Sequence, residues 1–238
     1  MKLDMLAFAS HPDDVELSCA GTIIKHIAAG YKTGIIDLTR GELGTRGTAA
    51  IREQEANKAS EIMGIHVREN LDLKDGFFEV NEESKMKVIR MIRKYRPEII
   101  IANAINDRHP DHGKGSKLVS DACFLSGLIK VVTMEDGKLQ EAWRPRAVYH
   151  YIQDRNMRPD FIVDVSKFMD KRMEAIMAFS SQFFNPDSNE PETAISSKIF
   201  LEGLKARALE YGRLIGTDYG EGFIAERVPG IDDIFGLL

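Results

Sequence analysis

Short apolar runs alternate along this chain with stretches whose apolar residues return every three or four positions. "MLAFAS" (Met5–Ser10) reads as a buried strand. "AGTIIKHIAAG" follows, with Ile23, Ile24, Ile27 and Ala28 at helical spacing and Gly30 as the stop. "KTGIIDLT" predicts a second strand, and a helix from Arg52 to Met63 ends at Gly64. "ENLDL" is a short third strand, "ESKMKVIRMIRKYR" an amphipathic helix, and "PEIIIAN" (Pro97–Asn103) a strongly apolar fourth strand. A helix around Gly115–Ile129 precedes two more strand candidates, "RAVYHYI" and "DFIVDV". The tail differs: "VSKFMDKRMEAIMAFSSQF" and "SKIFLEGLKARALEYGRLIG" read as helices flanking the polar loop "NPDSNEPET". That loop is expected to be surface, with a lid over a site as the lesser reading.

This alternation predicts an α/β chain, Rossmann-like, with a mostly parallel sheet and helices on both faces. Its 238 residues suit one domain over 1–238, with a C-terminal helical part over 166–238. Composition narrows the function. The chain is 43% hydrophobic and 29% charged with a net charge of -5, and its Lys and Arg are dispersed. That excludes the basic face expected of a nucleic-acid binder. No apolar run approaches a membrane span, and Asp4 interrupts an N-terminus too weakly apolar for a signal peptide. Cys19 and Cys123 are too few for a disulfide framework and read as small buried residues. A cytoplasmic protein without membrane partners is expected.

Ligands of open parallel sheets bind beyond the carboxyl ends of the strands, so the residues following each strand matter most. Strand one is followed by His11, Asp13 and Asp14, strand two by "RGELGTRGT", and strand three by Lys74, Asp75 and Gly76. Strand four is followed by Asp107, Arg108, His109, Asp111 and His112, and the fifth candidate carries His150 near its end. "HPDD" and "HPDH" each place imidazole and carboxylate groups on a proline-stiffened turn. An aspartate here also suits a helix N-cap, so Asp13 and Asp14 each have an ordinary use. Two such motifs at strand ends nevertheless point to a catalytic zinc site, which takes three His, Asp or Glu ligands. An all-oxygen calcium site or a thiolate structural site does not match these donors. Spacing does not decide which of Asp13 and Asp14 ligates. The glycines of "GELGTRG" do not fit a dinucleotide fingerprint, so a flexible loop sending Glu42, Arg46 or Arg52 toward a polar ligand is expected. His26 and His66 read as structural.

"ASHPDDVE" together with "RHPDH" resembles the LmbE/PIG-L family of zinc-dependent N-acetylglucosamine deacetylases. "AGTI", "LTRGELGTRGT", "IREQEANKASEIMGI" and "EGF" extend the likeness over most of the chain. The version here looks most like the members of that family that deacetylate N-acetylglucosaminyl-malate in bacillithiol biosynthesis. Many members read HPDDE, whereas here Val15 stands in that place, and Glu16 is given no catalytic role. The resemblance implies His11, Asp14 and His112 as zinc ligands, with Fe2+ as an alternative metal. It places Asp13 as general base and His109 as the second acid/base or oxyanion group. Asp111 then suits the orienting of His109. A malate aglycone calls for arginine, and Arg52, Arg108 and Arg46 are the candidates, Arg52 by resemblance. Glu42 or Asn103 would suit sugar hydroxyls. The implied partner is a small glycoconjugate substrate, and a homo-oligomer is implied because family members often assemble.

Overall fold

The computed structural model describes residues 1–236. The elements run β1 (Met5–Ala9), α1 (Asp14–Ala28), β2 (Thr33–Thr39), α2 (Ala49–Met63), β3 (Val67–Leu73), α3 (Glu82–Tyr95), β4 (Ile99–Ala102) and α4 (Pro110–Ser126). A small hairpin follows, β5 (Met134–Glu135) and β6 (Lys138–Leu139), then β7 (Ala147–Tyr151), β8 (Phe161–Asp164), α5 (Met169–Met177), α6 (Lys198–Leu214) and β9 (Gly220–Ala225). Seven strands form one sheet in the order β3-β2-β1-β4-β7-β9-β8. All ladders from β3 to β7 are parallel, and β9 pairs antiparallel with both β7 and β8.

Alternation along the strands builds a core on each face, because successive strand side chains point to opposite sides. Leu6, Phe8, Ile36 and Leu38 face α3 and α4, packing on Val88, Ile92, Leu118 and Ala122. Met5, Ala7, Ala9 and Ile35 face the other way, onto Val15, Ile23 and Ala175 of α1 and α5. The expected fold class is thus what forms, as one domain with helices on both faces.

Three departures from the sequence pattern bear on the site. Helix α1 begins at Asp14 rather than near Gly21, because a turn of helix precedes a break at Cys19 that hides the periodicity. Helix α4 begins at Pro110 rather than Gly115, with proline at a position where its missing N–H costs nothing and His109 as the N-cap. The C-terminal part, expected to be helical, also supplies β9, whose "GEGFIA" has too many glycines to read as a strand. The strand order reverses between β1 and β4, so the HPDD and HPDH turns flank the switch point of the sheet.

Candidate active site

Asp14 is the point on which this site converges. Its Oδ2 accepts hydrogen bonds from the His11 backbone N–H at 3.0 Å and the Asn103 amide at 2.9 Å. Its Oδ1 accepts from Gln153 Nε2 at 3.0 Å and lies 3.1 Å from His112 Nε2. His11 Nδ1 is 3.6 Å from Asp14 Oδ2, so the two turns meet across one carboxylate. Ring nitrogens of His11, His109 and His112 also lie within 4.8 Å of one another, as do ligand atoms of His11, Asp75 and Asp111. These converging imidazole and carboxylate donors, without a thiol, fit a divalent transition metal of the zinc type.

His112 and His11 are each oriented by a further acid. His112 Nδ1 meets Asp107 Oδ2 at 2.5 Å, which turns Nε2 toward Asp14. His11 Nε2 meets Asp75 Oδ1 at 3.1 Å and lies 3.5 Å from Asp111 Oδ2. Such carboxylates fix the tautomer and ring orientation of a ligating histidine. Burial opposes the charge on His112, yet the Asp14 charge and the Asp107 bond raise its pKa to about 9. Burial also works against ionised Asp14, but the His112 charge and the His11 and His112 bonds hold its carboxyl well below the usual range.

Asp13 behaves differently from its neighbour. It is buried, makes no side-chain bond to cap α1, and its backbone sits at φ 123°, ψ -24°, a region costly for a residue with a Cβ. Burial pushes its carboxyl up to about 7; the Arg52 charge opposes that rise and the Asp14 charge adds to it. His109 has its pKa lowered by burial and by the charges of His11 and His112. Its Nδ1 accepts the Asp111 backbone N–H at 3.3 Å, which leaves the proton on Nε2.

A cleft of about 400 Å³ opens over these groups, with Leu17, Ile195, Phe200 and Leu204 as an apolar wall and Arg52, Arg108 and Arg207 as its cations. The candidate substrate residues separate here. Arg52 lines the cleft and donates through Nη2 to Gln182, while Arg108 stands at the rim, 3.2 Å from Asp154. Arg46 turns away from the cleft: it is buried and donates to Ser188 Oγ at 2.6 Å and the Phe183 carbonyl at 3.4 Å, clasping the 185–193 loop. Glu42 is spent on the backbone N–H groups of Arg40 and Asp75, at 3.2 and 2.8 Å. Asn103 is buried and committed to Asp14 and Gln153, and neither it nor Glu42 lines the cleft. Asp111 was expected to orient His109, but its carboxylate accepts the Gly76 N–H at 2.7 Å, which turns it toward His11.

Asp75, Asp107 and Gln153 are the participants that pattern reading left without a role. Asp75 stood at a strand end, which was its only signal. Gln153 follows β7 with none, since an amide acquires its function from what it faces. Its Oε1 accepts from Asn103 Nδ2 at 3.0 Å and the Ala104 N–H at 3.1 Å, so its Nε2 is held toward Asp14. Glu16 is a buried partner of Arg68 at 2.6 Å, consistent with its having no catalytic part. His150 is buried too, bonded to the Asn103 carbonyl at 2.9 Å and to Ser116 Oγ at 3.0 Å.

Comparison with known proteins gives a consistent result. The PIG-L family, described as GlcNAc-PI de-N-acetylase, matches residues 6–123, the stretch containing both histidine turns. The diacetylchitobiose deacetylase of Thermococcus kodakarensis is 27% identical over 95% of this chain and 84% of its own length. The probable N-acetyl-alpha-D-glucosaminyl L-malate deacetylase 2 of Bacillus anthracis is 26% identical over 73% of this chain and 78% of its own length. A conserved protein of Thermus thermophilus of known crystal structure is 36% identical, with a TM-score of 0.87 and 98% of both chains covered. The chain therefore belongs to the PIG-L family of metal-dependent deacetylases, and it is an amidohydrolase.

Proposed function

We propose that the protein removes the N-acetyl group of an N-acetylglucosaminyl conjugate, using zinc held by His11, Asp14 and His112, and that the conjugate is N-acetylglucosaminyl-malate. The observation that carries the reaction is the meeting of both histidine turns at the ionised Asp14 carboxylate, with the unbonded Asp13 beside it. The metal, when bound, supplies Lewis-acid chemistry toward the amide carbonyl and toward water.

The chain's own groups do the proton work. Asp13, with its carboxyl near neutrality, takes a proton from the attacking water as oxygen bonds to the acetyl carbon. Neutral His109 presents Nε2–H to the oxygen on which charge develops, as an oxyanion donor. The proton on Asp13 then passes to the sugar nitrogen as its bond to carbon breaks, leaving acetate and a free amine. Asp107 and Asp75 hold the two ligating rings in place throughout.

Arg52 supports the malate reading, since a guanidinium in the cleft suits a carboxylate, and so does the likeness to the Bacillus anthracis protein. A chitooligosaccharide is the second reading, supported by the likeness to the Thermococcus protein over nearly the whole chain and by the apolar residues that line the same cleft. Acetate release by zinc-loaded protein from N-acetylglucosaminyl-malate, diacetylchitobiose and free N-acetylglucosamine tests both. Preference for the malate conjugate is expected. Preference for diacetylchitobiose keeps the chemistry and discards malate, and no release from any discards the deacetylation itself.

A further inference from the structure

Two pieces of sequence that the chemistry leaves idle, "AGT" at Ala20–Thr22 and "EGF" at Glu221–Phe223, meet in the structure. Glu221 Oε1 accepts the Gly21 N–H at 2.9 Å, and Oε2 accepts the Thr22 N–H at 2.6 Å. In a continuous helix those two N–H groups would bond the carbonyls of Leu17 and Ser18. The Leu17 carbonyl instead accepts Arg172 Nη2 at 2.6 Å, and Arg172 Nε stands 3.1 Å from Glu221 Oε1. An ion pair, 4% and 2% exposed, is thus inserted into one turn of α1 in place of its own hydrogen bonds. The backbone departs from helix at Cys19, with φ -147° and ψ 18°.

The surroundings are shaped to admit the pair. A Cβ at residue 21 would stand 2.9 Å from Val165 Cβ and 3.0 Å from Glu221 Oε1, so glycine is required there. The guanidinium lies at the carbonyl end of the first helical segment and the carboxylate at the N–H end of the second, each matching the local dipole. A buried ion pair is weak grounds for stability, because desolvation offsets most of its attraction. What it does here is set the first segment apart. That segment begins with Asp13 and Asp14, is held by the Leu17 N–H bond to the Asp13 carbonyl at 2.9 Å, and ends with Leu17 and Ser18 on the cleft wall.

We propose that Arg172 and Glu221 are positioning residues for the deacetylase site, holding α1 open so that Asp13 and Asp14 are presented at the required angle. This rests on the functional reading above. The test uses E221Q and the double variant R172M/E221Q of the full chain. In metal-free protein, amide hydrogen exchange at Gly21 and Thr22 is expected to accelerate. The zinc dissociation constant, measured by chelator competition, is expected to rise about tenfold. Turnover is expected to fall with KM little changed.

Variants that melt at lower temperature, yet keep zinc affinity and kcat within about twofold of the parent, would reduce the pair to a stabilising contact and overturn the proposal. If neither variant folds, Arg172→Lys, which keeps the buried charge but gives up the guanidinium bond to the Leu17 carbonyl, is read in the same way. Parent protein that binds no zinc and releases no acetate overturns the functional reading. The held-open turn is then supported or overturned by the exchange rates alone.

Discussion

Arg52 lies against Gly41 in a notch that any side chain at position 41 would fill. A Cβ built there would stand 2.9 Å from the Arg52 Cζ, and one on Gly44 would stand 2.7 Å from Nη2. The glycines of the loop after β2 thus make room for an arginine, where a reading from pattern looks first for a phosphate. Gly41→Ala is expected to act as a substrate-site variant. It should lower kcat/KM for an anionic conjugate about as much as Arg52→Ala does, with zinc content unchanged. Equal kcat/KM in parent and G41A would detach the loop from substrate binding.

The division of labour between the adjacent aspartates is open to direct measurement. Asp13→Asn is expected to keep stoichiometric zinc and lose about 10²- to 10⁴-fold in kcat, the usual share of a general base. His112→Ala is expected to lose the metal. Metal analysis of both variants, alongside acetate release, separates the roles; full zinc in H112A would remove His112 from the ligand set.

Beneath the site, Arg68 is buried between Asp37, at 2.7 Å, and Glu16, at 2.6 Å. Burial raises the pKa of both acids even with the guanidinium present. Arg68→Met would leave two carboxylates without a counter-charge in the interior. A loss of about 3–5 kcal/mol in unfolding free energy is expected from denaturant titration. A loss below about 1 kcal/mol would mean that the acids protonate at little cost.

Both cysteines are buried in helices, and burial pushes both thiols up from their ordinary pKa. Since the thiolate is the reactive form, neither Cys19 nor Cys123 should react with a disulfide reagent in native protein at neutral pH. Both should react after denaturation. Rapid labelling of either in the folded state would contradict this burial.

The clasp between Arg46 and the 185–193 loop predicts a protease phenotype. Arg46→Ala removes the bond to Ser188 Oγ at 2.6 Å and the contact with Glu190 at 3.5 Å. Limited proteolysis should then cut within 185–193 at a higher rate than in the parent. Equal cutting rates would show that the bond of the Gly47 N–H to Glu190, at 2.9 Å, is enough to hold the loop.

What could be read from sequence was what repeats or punctuates. The buried strands Met5–Ala9 and Ile99–Ala102 show as unbroken apolar runs, and the two histidine turns follow them directly. Residues whose role depends on distant partners left no such trace. Gln153 matters through Asn103 and Asp14, and Asp75 through His11. Arg46 in the loop and Arg52 at the start of the next helix were both candidates for the ligand, yet Arg52 lines the cleft and Arg46 turns to the 185–193 loop. Which way a loop arginine turns is a tertiary outcome that spacing does not encode. Strand β9 was missed because glycines at 220 and 222 make close approaches to Tyr211 and Ile162, at the expense of a strand's usual bulky composition.

That strand has a consequence for how the molecule comes into being. It is the last of the sheet's strands along the chain but lies second from the edge, between β7 and β8. During synthesis, β8 has no partner in the sheet and β7 presents an open ladder until residue 225 is available. The long-range pairing also closes late for entropic reasons, since β9 must return to a strand made some seventy residues earlier. The same strand delivers Glu221 to α1, so the half of the chain that carries the histidine turns acquires its final geometry only when the other half arrives. A nascent chain stopped short of Gly220 would therefore hold every proposed catalytic side chain and still be a target for chaperones or proteases, an incomplete sheet with an exposed edge.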